Sequence, residues 1–84
     1  MKLGVYSLQK VLYQGDAELV NCQTATGEIT ILDHHRPIIS ILKRGVMKIV
    51  DREKKEHYIP VDSGFLEVRA GNEARFLVEE AVGL

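Results

Sequence analysis

Apolar side chains return at every second position along most of this chain, the period of a pleated strand with one buried face. Ile29 and Ile31 alternate with Glu28 and Thr30, and Val20 and Cys22 share one phase. Ala74, Phe76 and Val78 stand opposite Arg75 and Leu77. Turn-forming groups cut the runs: Gly15-Asp16, Thr26-Gly27, Asp33 to Pro37, Arg44-Gly45, Asp62-Ser63-Gly64 and Ala70-Gly71-Asn72. Glycine, asparagine and aspartate suit such points because they tolerate backbone angles that other residues resist. Val46 to Val50 and Glu56 to Val61 read as a hairpin closed by the charged tip Asp51 to Lys55, with Pro60 marking an edge or bulge. Ile38 to Lys43, rich in isoleucine, reads as a strand that can be buried on both sides. No helical period is sustained, and only Glu79 to Val82 could begin a helix. The fold class is all-β: a small two-sheet β-sandwich or flattened barrel of roughly eight to ten short strands.

Composition narrows the function. With 84 residues the chain makes one domain, 1–84, with no second one. Its 45% hydrophobic and 27% charged content is that of a folded globular domain. Net charge is −1, and Arg52, Lys54 and Lys55 are interleaved with Asp51, Glu53 and Glu56. Nucleic-acid binding needs a clustered positive surface, which this pattern does not supply. No apolar run approaches the roughly 18–20 residues of a membrane span, and the N-terminus lacks the apolar core of a signal peptide. Cys22 is the single cysteine, which excludes an intrachain disulfide and a multi-thiolate metal site. The expected compartment is cytoplasmic.

Catalytic chemistry finds little support. Asp33, His34 and His35 are the first candidates for a metal-assisted hydrolase, but neighbours on an extended chain point to opposite faces. A catalytic zinc takes three protein ligands, and His57 is the only other histidine. Cys22 or Ser63 with a histidine would make a nucleophile and base, but neither sits in a nucleophile-elbow context, and Cys22 falls in phase with core residues. The isolated glycines form no phosphate loop. The expectation is a chain that is not an enzyme, carries no cofactor or metal and works by binding proteins.

Three ordered motifs give that expectation a direction. Thr26-Gly27-Glu28-Ile29-Thr30-Ile31-Leu32-Asp33-His34-His35-Arg36-Pro37 is followed by Leu42-Lys43-Arg44-Gly45-Val46 and then Gly64-Phe65-Leu66-Glu67-Val68. Together with the opening, Lys2-Leu3 through Lys10 to Gly15, and Leu77 in the closing strand, this series resembles the N-terminal domain of the epsilon subunit of F-type ATP synthase across essentially the whole chain. The chain departs from the family pattern at Thr30, Asp33 and Ser63, where the family has glycine, proline and glycine.

The resemblance implies a non-catalytic rotor subunit of the central stalk. Its partners would be the gamma subunit and the ring of c subunits, on the cytoplasmic face of the bacterial cell membrane, peripheral and without insertion. Position by position, it implies that Thr26, Gly27 and Glu28 form the loop facing the c ring. It implies that Ser7, His35, Pro37 and Ser40 lie near gamma. The chain ends where the family's C-terminal helical hairpin would begin, so coupling without the hairpin's inhibition is expected. A stand-alone ligand-binding β-sandwich is the alternative; it would need aromatic platforms, and the chain has no Trp, three Tyr and two Phe.

Overall fold

The structure is a computed structural model that describes residues 1–82. It contains seven strands: β1 (Lys2–Tyr6), β2 (Val11–Thr24), β3 (Gly27–Leu32), β4 (Ile38–Leu42), β5 (Gly45–Asp51), β6 (Glu56–Arg69) and β7 (Glu73–Glu80). All pairings are antiparallel except that of β1 with β7. The described residues contain no helix, and Glu79 and Glu80 close β7 rather than opening one.

β2 and β6 are the frame. Residues 11–16 of β2 pair with β1, while residues 19–24 pair with β3 and residues 17–21 with β5. Residues 56–61 of β6 pair with β5, and its later part pairs with β4 and β7. One layer therefore runs β2–β1–β7–β6–β4 and the other β3–β2–β5–β6, with both long strands shared. Phe76, Leu3, Leu66 and Val5 face inward from the first layer, and Ile31, Met47, Ile49 and Val20 from the second, each under 2% exposed. Cys22 lies in this core as its phase predicted, and burial pushes its thiol up to about 12.

Each shared strand turns its corner at a β-bulge, where one extra residue bends the strand and tightens its twist. The registers skip Glu18 in β2 and Asp62 in β6. Both skipped residues are acids that hold a cation: Glu18 takes Lys54 Nζ at 2.8 Å and Asp62 takes Arg44 Nη1 at 2.8 Å. Gly15-Asp16 and Asp62-Ser63-Gly64 are therefore not turns, as their composition suggested, but positions inside 14-residue strands. Punctuation there marks a change of layer, so the strands are fewer and longer than the eight to ten short ones expected.

Ile38 to Lys43 also departs from expectation. Ile38 and Leu42 face inward, but Ile39 is 77% and Ile41 67% exposed. β4 is the outermost strand of its layer, and nothing among the described residues covers that layer's outer face. The remaining turns fall where the sequence placed them, and the tip of the β5–β6 hairpin is capped by Asp51 Oδ1, which accepts the N–H groups of Glu53 (2.9 Å) and Lys55 (3.0 Å).

Candidate functional site

The outer face of the first layer carries an apolar row that crosses four strands. Ile41 stands opposite Phe65, Phe65 opposite Leu77, and Leu77 beside Tyr6 in the parallel pair. Phe65 is 50% and Leu77 46% exposed. Register produces this row: one outward position from each strand falls on the same line, although the four residues are scattered through the sequence. At the Tyr6 end, the turn joining β1 to β2 lifts Leu8 almost fully into solvent. The Tyr6 ring folds back over Gly4, where a Cβ would meet the ring at 2.6 Å or less.

The next line of the same face is charged and self-neutralising. Glu67 lies opposite Arg75. Arg69 reaches Glu73 at 3.3 Å and Glu67 at 4.0 Å, and Arg75 reaches Glu73 at 3.9 Å. Such exposed pairs contribute little stability, but they leave the border of the row without a net field. An apolar strip edged by paired charges has the make-up of protein contact surfaces.

The positions singled out by the family motif fall in several places. Thr26 and Gly27 belong to the turn between β2 and β3, organised by Thr24, the one buried polar side chain among the described residues. Thr24 Oγ1 donates to the Gly27 carbonyl at 2.7 Å and accepts the Thr26 N–H at 3.3 Å. Glu28 follows, exposed, with Gln23 Nε2 at 3.5 Å. These three residues therefore form one projecting tip. His35 and Pro37 sit at the opposite end of β3, in the loop to β4. His35 Nδ1 lies 2.7 Å from the Arg36 carbonyl, and since a carbonyl only accepts, that nitrogen carries a proton.

Ser7 lies just beyond β1 rather than within it. Its hydroxyl accepts the N–H groups of Gln9 and Lys10, each at 3.2 Å, and so shapes the turn that carries Leu8. Ser40 alternates with Ile39 and Ile41 and sits on the inward side of β4, opposite Leu66. Ser7 and Ser40 thus do not share a face. Of the motif neighbours Phe65 and Leu66, Leu66 is fully buried and Phe65 belongs to the exposed row. Only the register between strands reveals that Ile39, Ile41, Leu77 and Tyr6 share this outer face.

Asp33, His34 and His35 are not arranged as ligands. Asp33 Oδ1 is held by Arg52 Nη2 (2.8 Å), Asn72 Nδ2 (3.2 Å) and the amino group of Met1. The Arg52 guanidinium first, then the amino group, keeps the Asp33 carboxyl well below the usual range. His34 turns away at φ 62°, its N–H donating to Asn72 Oδ1 at 2.7 Å. Among the described residues no group of three or more His, Cys, Asp or Glu side chains could hold a metal ion, and no helix is long and apolar enough to cross a membrane. The tyrosines form no shared platform: Tyr6 covers Gly4, Tyr13 packs edge-on against His57 at 5.2 Å, and Tyr58 donates to Glu56.

Comparison with known proteins agrees with this architecture. The family model described as the β-sandwich domain of the ATP synthase delta/epsilon chain matches residues 1–83. The ATP synthase epsilon chain of Brevibacillus brevis is 36% identical over 81 residues, covering 96% of this chain and 61% of its own length. ATP synthase epsilon chain 2 of Burkholderia orbicola is 39% identical over 69 residues, covering 81% and 45%. The chain thus spans about half to three-fifths of the curated relatives it matches. In fold it is similar to a chain in the Euglena gracilis mitochondrial ATP synthase OSCP/F1/c-ring structure, with a TM-score of 0.90 at 19% identity over 98% of this chain and 52% of that one. A chain in the Tetrahymena thermophila ATP synthase central stalk/c-ring structure gives 0.80 at 16% identity, over 95% and 63%.

Proposed function

The chain belongs to the family of ATP synthase delta/epsilon chain β-sandwich domains, and from that premise we propose that it is a non-catalytic part of the central stalk. It docks on the gamma subunit and the c ring and helps to couple ion flow to ATP synthesis, peripheral to the cytoplasmic face of the membrane. The observation that carries this reading is the outward apolar row Ile41–Phe65–Leu77–Tyr6, on a face bordered by charges that neutralise one another. A rotor component must transmit torque without yielding. The two strands shared between layers suit that demand, because neither layer can slide without breaking the other's pairing.

The apolar row is assigned to gamma. Its width follows from strand spacing: four strands about 4.8 Å apart make a strip roughly 15 Å across. With its border, such a strip is compatible with a partner contact of the usual size, about 800 Å² per side. His35 and Pro37, in the loop leading into β4, lie at the far end of that strand from Ile41, beyond the charged border, and are assigned to the rim of the same contact. The tip Thr26-Gly27-Glu28 is assigned to the c ring, where the exposed Glu28 carboxylate can meet basic or polar groups on the ring's loops.

A pull-down of purified chain with recombinant gamma subunit from the same source tests the assignment. Stoichiometric capture is expected, and the double substitution Phe65→Asp/Leu77→Asp abolishes it. Both positions face solvent, so circular dichroism and the thermal midpoint should show a folded variant. Capture that survives both substitutions would remove the row from the gamma contact, while absence of capture by the unsubstituted chain would remove the stalk assignment.

A further inference from the structure

The free side of β4 offers a second kind of contact. On one side β4 pairs with β6 along its whole length, without a register shift. On the other it meets β2 only at its C-terminal end, where the Ala25 N–H donates to the Ile41 carbonyl and the Lys43 N–H donates to the Gln23 carbonyl, both at 2.9 Å. Those bonds leave from odd-numbered residues. In an antiparallel ladder, inward and outward backbone groups alternate, so Ile38, Ser40 and Leu42 address β6 and Ile39 and Ile41 address the edge. The N–H and C=O of Ile39 and the N–H of Ile41 therefore line the edge beyond the contact with β2.

Edges of this kind are usually blunted by a charge, a proline or a bulge within the strand. β4, Ile-Ile-Ser-Ile-Leu, has none of these. Charge lies at its two ends instead. Arg36 precedes it and Lys43 follows it, both exposed. Arg44 is paired with Asp62, but Arg36 and Lys43 join no ion pair among the described residues. A second copy of this chain is a poor occupant. Antiparallel pairing of two β4 edges about Ser40 would set Arg36 of each chain against the Lys43-Arg44 end of the other.

We propose that the open edge of β4 accepts an extended segment of a partner protein by strand addition, one that alternates apolar residues and carries acidic residues at both ends. Main-chain bonds to Ile39 and Ile41 hold the segment. Its apolar side chains pack beside Ile39 on the outer face, and its acidic ends meet Arg36 and Lys43. The proposal goes beyond gamma docking, because recognition here is by backbone and charge and stands whichever protein supplies the segment.

Hydrogen exchange followed by NMR on the whole chain tests this, using a synthetic nonapeptide with three alternating valines and two acidic residues at each end. The expected result is slowed exchange at the Ile39 and Ile41 amides, with Ser40, already bonded to β6, unchanged. A control peptide with lysine ends should bind roughly tenfold more weakly, or worse. Arg36→Glu/Lys43→Glu should reverse that preference, and Ile39→Pro, which removes an edge N–H and no β6 bond, should abolish binding. Phe65→Asp/Leu77→Asp should leave peptide binding in place, which separates this proposal from the gamma assignment. Equal affinity for the two peptides, or no protection of Ile39 and Ile41 at millimolar peptide, would overturn it.

Discussion

Gly64 is a position where one atom decides the fold. It lies just after the β6 bulge at φ +152°, and a Cβ there would sit 2.2 Å from the Leu77 carbonyl oxygen and 2.9 Å from the Val78 Cα. Both obstacles are backbone and cannot swing aside. Gly64→Ala should cost about 2–4 kcal/mol, read as a lower urea midpoint at unchanged slope. Thr24 governs its turn by a different means, because it is buried and its hydroxyl is the link between β2 and the Thr26-Gly27 tip. Thr24→Val keeps the shape and leaves the Gly27 carbonyl without that donor. A loss of about 1–2 kcal/mol is expected, together with faster amide exchange at Thr26.

β6 shows how alternation divides labour between neighbours. Leu66 fills the core while Phe65, one residue earlier, faces out. Leu66→Ala should destabilise by about 2–5 kcal/mol. Phe65→Ala should change stability by about 1 kcal/mol or less yet weaken gamma capture clearly. Thermal denaturation of the two variants beside a pull-down would show the separation, and equal destabilisation would mean that Phe65 is a core residue after all. The alternation itself was readable from sequence, as were the β5–β6 and β6–β7 hairpins with their charged or glycine-containing tips. The face each phase would occupy was less readable at β4. An isoleucine-rich run looks the same whether a second layer covers it or nothing does, and only the tertiary arrangement, with no layer among the described residues over this face, leaves Ile39 and Ile41 in solvent.

At the scale of the molecule, one ion cluster ties distant segments together. Arg52 in the β5–β6 tip reaches Asp16 at 3.2 Å and Asp33 at 2.8 Å, and the amino group of Met1 bonds Asp16, Asp33 and the Ala17 carbonyl. Arg52 and then the amino group hold Asp16 and Asp33 below the usual carboxylate range, and hydrogen bonding to His57 is the main cause of a similar depression at Asp51. A carboxylate with a depressed folded pKa contributes stability above its unfolded value, about 3.9, and loses that contribution as pH falls through the folded value. These groups therefore predict a thermal midpoint insensitive to them between about pH 6 and 8 and declining below about pH 4, by an amount that solvent screening keeps modest. Asp33→Asn should lower the midpoint at pH 7 and flatten the acid limb. An acid limb as steep as the parent's would assign the transition to other carboxylates.

Sequence alone determined the period of the strands, the placement of the tight turns, the burial of Cys22 and the family to which the whole pattern belongs. Each of these depends on neighbours a few residues apart, or on an ordered motif that survives translation into sequence. Tertiary structure alone decided that Gly15 and Gly64 lie within strands, that Ser40 faces inward, and that Ile41, Phe65, Leu77 and Tyr6 form one row. The reason is physical: a glycine beside polar residues serves equally well for a reversal or for a bulge. Which of the two occurs, and which side chains meet across strands, depends on the register of segments far apart in the chain.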